Sequence, residues 1–187
     1  LSNDFYSKWL DPSMTYSCGY FEDSDTSLEQ SQVNKYQLLC DDLALQPSDH
    51  VLEIGCGWGG FMEHAVSKYG CKYTGVTISQ EQLKYALDRA KKLGIEDKVE
   101  ILFCDYRDLD GKFDKIVSIE MIEAVGHEYL PVYFGKLQSL LTKEGLLVIQ
   151  AITSPDSRYD EFRKGVDWIQ KHIFPGSLLP SVAAMTE

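Results

Sequence analysis

The sequence predicts an α/β fold, with a parallel sheet wound by helices on both faces. Three observations point there. Short apolar runs alternate with helical patterns from residue 50 to residue 152. The runs are apolar throughout rather than on alternate residues, as in strands buried on both faces. The first run, "HVLEIGC", feeds directly into "GWGG", a strand, glycine turn and helix in series.

In chain order, residues 1–26 read as irregular and aromatic, with a turn at Asp11-Pro12. A first helix follows, with Leu28, Val33, Tyr36, Leu39 and Leu43 at helical spacing, a capping box from Ser27 and Gln30, and Pro47 as its stop. After the "HVLEIGC" strand, "GFMEHAVSKY" is a helix stopped by Gly70. "CKYTGVTI" is the second strand. Ser79 and Gln82 cap a helix that runs to Leu93 and ends at Gly94. "KVEILFCD" and "FDKIVSIEM" are the third and fourth strands. "HEYLPVYFGKLQSLL" is mostly helical with Pro131 in its first turn, and "EGLLVIQAI" is the fifth strand. The pattern then becomes irregular. The fifth strand is expected at a bare sheet edge, and the first residue is Leu1, so the chain is expected to be a piece of a longer protein.

The 187 residues suffice for one domain with a core, and 44% hydrophobic with 25% charged residues is an ordinary globular balance. A formal charge of -11, with nine acids against two lysines in residues 1–50, argues against sequence-independent nucleic-acid binding. It also argues against simple electrostatic docking of that region on an anionic membrane. Five cysteines without a C-x-x-C pair and four scattered histidines offer no zinc spacing; free thiols in a reducing, cytoplasmic setting are the simpler reading. No apolar run reaches the ~18 residues of a membrane span.

The glycine loop carries the chemistry. Gly55, Gly57 and Gly60 satisfy G-x-G-x-x-G, and Gly55, Gly57 and Gly59 satisfy a looser nucleoside-binding pattern. A dinucleotide would want an acid at the end of the second strand for its ribose, but that strand ends Thr77-Ile78-Ser79. Glu53, at the mouth of the loop, would repel a pyrophosphate by about 1 to 4 kcal/mol. A phosphate-free, positively charged nucleoside removes the conflict, and S-adenosylmethionine is one. The alternative for Glu53 is a local backbone cap.

The stretches "NDFYSKWLDPSMTYSCGYF", "VLEIGCGWGGF", "GVTISQEQ", "CDYRDL", "IVSIEMIEAVGHEYLPVYF" and "IFPGSLLPS" together resemble the cyclopropane-fatty-acyl-phospholipid synthase family, which includes the mycolic acid cyclopropane synthases. The resemblance implies a class I methyltransferase (Rossmann-like) fold, truncated at its C-terminal end. Its parts would be a covering segment 1–46, a core 47–153 and the start of a substrate-side segment 154–187. It implies cofactor contacts at Tyr16 and Ser17, at Glu53, Gly55, Cys56, Gly57, Trp58 and Gly59, and at Thr77, Ile78, Ser79 and Gln82. Gln82 either takes the place of the missing ribose acid or caps Ser79. Asp105 and Tyr106 would lie by the adenine, with plain packing the equal alternative for Tyr106.

The implied reaction adds the cofactor's methyl carbon to a cis double bond in a phospholipid acyl chain and closes a cyclopropane ring, with bound bicarbonate as the base. Cys18, Glu123, Gln150 and the Ile152 backbone N–H are the candidate holders of that anion. Gln150 stands where many relatives have histidine, and a further tyrosine ligand would lie beyond Glu187. For Cys18 the alternative is an inert core residue, and for Glu123 a solvated acid at a helix start. His127 is either an orienting group near Glu123 or a surface residue. Glu120 either lines the cleft or ends the strand. Arg107 and Asp108 read as a surface ion pair. The implied partner is a membrane phospholipid reached by peripheral contact, and a homodimer is compatible with the resemblance. The rival functions are a small-molecule N-methyltransferase and a core that binds cofactor without turnover.

Overall fold

The computed structural model describes residues 2–187. Five parallel strands form one sheet in the order β3-β2-β1-β4-β5: β1 His50–Ile54, β2 Lys72–Thr77, β3 Val99–Phe103, β4 Phe113–Ile119 and β5 Leu141–Gln150. The chain winds outward from β1 in both directions, so the switch point lies between β1 and β4, at whose carboxyl ends such sheets bind ligands. The fifth strand stands at an edge, as the sequence predicts.

Alternation along β1 sets the two cores. Val51 faces a cluster with Tyr36, Leu39, Phe61, Met62 and Tyr73; Leu52 and Ile54 face the opposite cluster with Ile116, Leu130, Tyr133 and Leu137. Glu53 therefore points to the same side as Val51, toward helices α2 (Leu28–Asp42) and α3 (Gly60–Tyr69). On the other side, α5 (Leu130–Leu140) packs Leu130, Tyr133, Leu137 and Leu140 into the second core, with Pro131 in its first turn.

Several boundaries differ from the sequence reading. α2 ends at Asp42 rather than at Pro47, because Ala44 adopts a left-handed φ of 47° and stops it. Its capping box is half formed: Ser27 Oγ accepts the Gln30 N–H at 3.1 Å, but the Gln30 side chain turns to Asn34. The cap of α4 (Gln80–Leu93) is also one-sided; Ser79 Oγ accepts the Gln82 N–H, while Gln82 Oε1 accepts from Thr77. β5 begins at Leu141, directly after α5, with a register shift between Phe113 and Lys115 on its partner β4. The terminal regions contain short helices: α1 (Asn3–Tyr6), α6 (Asp156–Phe162), α7 (Trp168–His172) and α8 (Val182–Thr186).

The buried face of α2 is the larger surprise. Leu28 and Val33 are 43% and 42% exposed, whereas Ser31, Gln32 and Lys35 are buried with Tyr36, Leu39 and Cys40. A polar stripe faces inward because a stretch of residues 11–18, the strap, crosses over it rather than an apolar core.

Candidate active site

The glycine turn comes first. The N–H groups of Gly55 and Cys56 both donate to the Val76 carbonyl, at 3.1 and 2.9 Å, which bends the chain back from β1 over β2. Gly57, at φ 53°, needs the left-handed region, and where its Cβ would go there is open space. Gly60 starts α3 with the Tyr36 hydroxyl and Thr15 Oγ1 so close that a Cβ there would sit 2.5 and 2.9 Å from them.

The strap closes the top. Asp11 is buried and its carboxylate accepts the N–H groups of Ser13 and Thr15 at 2.9 and 3.2 Å. Arg89 of α4 donates to the Ser13 and Pro12 carbonyls, and Thr15 Oγ1 bonds the Tyr36 hydroxyl. Strap and turn enclose a cavity of about 240 Å³ that opens to solvent. It is lined by Tyr16 and Ser17, by Glu53, Gly55, Cys56, Gly57 and Trp58, and by Gln82. Residues the sequence reading missed also line it, among them Thr15, Tyr36, Ile119 and Met121.

Glu53 is 3% exposed and accepts from the Tyr73 hydroxyl, a contact far beyond a local cap. Burial pushes its carboxyl up to about 7, against the pull of Tyr73 and Lys35. Gln82 is held by Thr77 through its Oε1, and its Nε2 makes no hydrogen bond among the described residues; the side chain does not cap Ser79. Thr77 thus acts from behind, and Ser79 N–H donates to its hydroxyl. Gly59 caps α3 and Ile78 is 76% exposed, and neither lines the cavity. These groups suit a cationic nucleoside: a buried carboxylate, a free amide donor and an open glycine floor.

Asp105 and Tyr106 do not line the cavity. The Asp105 carboxylate is taken by Arg107, whose Nε and Nη2 donate at 2.9 and 2.7 Å and hold it below the usual carboxylate range. The ion pair is therefore Arg107 with Asp105, not with Asp108. Tyr106 packs edge-on to Tyr133 at 5.6 Å and belongs to the second core.

Beyond β4 a second group of side chains gathers. Glu120 sits at φ 49°, a strained position for a residue with a side chain. Its Oε1 accepts the Cys18 N–H and the Gln150 amide, both at 2.8 Å, and it lines the cavity. Gln150 Nε2 also donates to the Cys18 carbonyl at 3.2 Å. With two acceptors facing it, this end must be the NH₂, so Gln150 is a strut between strap and β5 and its donors are spent there.

Glu123 is buried, and its Oε1 accepts the Ile152 N–H at 2.6 Å, so that N–H is also committed within the protein. Its Oε2 is buried with no partner, and burial pushes the carboxyl up. Cys18 is exposed, not a core residue; burial of its thiol, and then Glu120, push it up and keep it a hydrogen donor. Of the four groups expected to hold bicarbonate, Glu123 offers an unpartnered acceptor and Cys18 a thiol donor, whereas the Gln150 amide and the Ile152 N–H are already bonded within the protein. His127 neither orients Glu123 nor lies bare; its Nδ1 bonds the Tyr159 hydroxyl at 2.9 Å.

Over residues 1–187 the chain matches the family described as mycolic acid cyclopropane synthetase. The chain belongs to that family. It is 44% identical, over its whole length, to the tuberculostearic acid methyltransferase UfaA1 of Mycobacterium tuberculosis, covering 45% of that protein. It is 43% identical to the cyclopropane-fatty-acyl-phospholipid synthase of Escherichia coli K12, covering 47% of it. The chain thus spans about half the length of the curated relatives it matches. Among solved structures, the mycolic acid cyclopropane synthase CmaA1 complexed with SAH and CTAB superposes with a TM-score of 0.89 at 33% identity, covering 99% of this chain and 68% of that one. The sheet of this family member is that of S-adenosylmethionine-dependent methyltransferases.

Proposed function

We propose that the protein containing this chain adds the methyl carbon of S-adenosylmethionine to a cis double bond of a phospholipid acyl chain and closes a cyclopropane ring. The cofactor, when bound, supplies an electrophilic methyl group. Glu53 would face its positive groups, Gln82 Nε2 its ribose hydroxyls, and the turn from Gly55 to Gly59 its methionine part. An alkene is a weak nucleophile, so alignment in a water-poor cleft supplies much of the rate. The strap and the aromatic cluster of Tyr6, Trp9, Tyr16 and Trp58 beside it would supply the apolar wall of that cleft.

The observation that carries the reading is Glu123: a buried carboxylate with one unpartnered oxygen, just past β4 and fixed by the Ile152 N–H just past β5. A bicarbonate held there by Glu123 and Cys18 would supply the base. Glu123 would accept the O–H of that anion, and the Cys18 thiol would donate to one of its oxygens. A small-molecule N-methyltransferase would use the same carboxylate as a base for its amine, so the lipid product is what separates the two readings.

Contact with lipid would be peripheral. No helix among the described residues is long and apolar enough to cross a membrane. Val166, Trp168, Ile169, Ile173 and Phe174 are exposed, and Phe174 packs on Tyr16 of the strap with ring centres 6.3 Å apart, which supports entry of an acyl chain from that side.

The test is Glu123→Gln in the full-length protein. Ring formation, read by mass spectrometry of lipids as a gain of one CH₂, should fall by roughly 10²-fold or more. Cofactor affinity by calorimetry should change little. Equal losses in both would remove Glu123 from the chemistry, and a gain of CH₂ plus two hydrogens would name a methyl branch instead of a ring.

A further inference from the structure

Lys35 is one of only two lysines in the first fifty residues, and it is 3% exposed on the inward face of α2. Its Nζ donates to Ser17 Oγ at 2.7 Å. One turn earlier on the same face, Gln32 Nε2 donates to the Ser17 carbonyl at 3.0 Å. Both polar ends of Ser17 are thus gripped by α2. We propose that Lys35 is a positioning residue that, through Ser17, selects the carboxylate end of the bound cofactor; this rests on the S-adenosylmethionine reading above.

The argument is one of hydrogen accounting and charge. A hydroxyl whose oxygen accepts from an ammonium keeps its own hydrogen to give elsewhere. Ser17 lines the cavity, so that hydrogen is available to a ligand. The charged side chains lining the cavity are Glu53 and Glu120, and none of the described lining residues is a lysine, arginine or histidine. Two carboxylates suit the ammonium and sulfonium of the cofactor but repel the carboxylate of its amino-acid end. Ser17, with Lys35 directly behind it, is the place where the field turns positive. An ammonium buried this deeply is costly unless paired, and Lys35 feels both Glu53 and Glu120. It therefore balances their charge while reaching the ligand only through the serine.

The experiment compares S-adenosylmethionine with its decarboxylated form, which keeps the sulfonium and the ammonium and lacks the carboxylate. Calorimetry on the full-length wild type should show a preference for the carboxylated compound of roughly tenfold to a hundredfold, the range of one charge-assisted hydrogen bond. Lys35→Met should reduce that ratio to within about threefold, and Lys35→Arg should restore part of it. Ser17→Ala, which leaves the buried lysine in place, should lose the preference too and covers the case in which Lys35→Met does not fold. A Lys35→Met or Ser17→Ala ratio equal to that of wild type overturns the inference, whatever the absolute affinities, because a merely structural lysine would weaken both ligands alike. A wild type that binds both compounds equally overturns it as well. A wild type that binds neither overturns the cofactor reading, and this inference with it.

Discussion

Glu53 shows how one residue joins folding to ligand binding. Its carboxyl ordinarily titrates near 4.5, and burial raises it to about 7 in the folded chain. Between those values the folded state holds a proton that the unfolded state has released. Stability from this group therefore falls as pH rises from about 4.5 to 7, and the loss is complete above 7. A cationic ligand reverses the preference, since it pairs with the ionised form. Cofactor affinity should rise about fivefold between pH 6 and pH 7 and level off over the next unit, with proton release at pH 6 detectable in buffers of different ionisation enthalpy. Lys35, pushed down to about 8 by burial, narrows that plateau from the alkaline side. In Glu53→Gln the acid-side rise should vanish; an unchanged slope in that variant would mean that another group carries it.

Helix α2, the strap and α3 meet at Gly60. A Cβ there would reach the Tyr36 hydroxyl at 2.5 Å and Thr15 Oγ1 at 2.9 Å, and these two atoms are the bond that fastens strap to helix. Gly60→Ala should cost about 1–3 kcal/mol in a denaturant melt and weaken cofactor binding as the strap lifts. A variant as stable as wild type would show that strap and helix yield to a methyl group there. The same junction shows what the sequence could and could not tell. The five strands and the helices between them were legible, because buried parallel strands are apolar runs and their caps and glycine stops are local signals. Gly55, Gly57, Glu53, Ser17 and Gln82 were legible from the loop and the family motifs as residues that would gather, and they line one cavity. Lys35 was not. Apolar periodicity assigns Leu28 and Val33 to the interior, yet they are exposed, because the inward face of α2 turns Gln32 and Lys35 to the strap beside the Tyr36, Leu39 and Cys40 that it packs into the core. The pairing of Asp105 was not legible either: nothing in the string "CDYRDL" says that Arg107 folds back to take its carboxylate.

Across the whole molecule, the short stretch from Glu120 to Glu123 gathers three segments remote in sequence. Glu120 holds Cys18 and Gln150; Glu123 holds Ile152 by its side chain and Leu178 by its backbone carbonyl, at 2.8 Å. No local pattern announces such contacts, since they span up to 102 residues. The two grips differ in kind. The strap is tied through a side-chain carboxylate at a strained position that lines the cavity, whereas the C-terminal segment is tied through backbone. They should therefore respond separately to a ligand. Amide hydrogen exchange at Cys18 should slow on addition of S-adenosylmethionine, while Leu178 exchanges as before. Glu120→Ala should speed exchange at Cys18 even with cofactor present and leave Leu178 unchanged, whereas Glu123→Gln, which retains an acceptor for Ile152, should leave Ile152 protected. If cofactor slowed Cys18 and Leu178 to the same degree, strap and C-terminal segment would be opening as one unit, and the separate control of cofactor entry and acyl-chain entry that this hub implies would not exist.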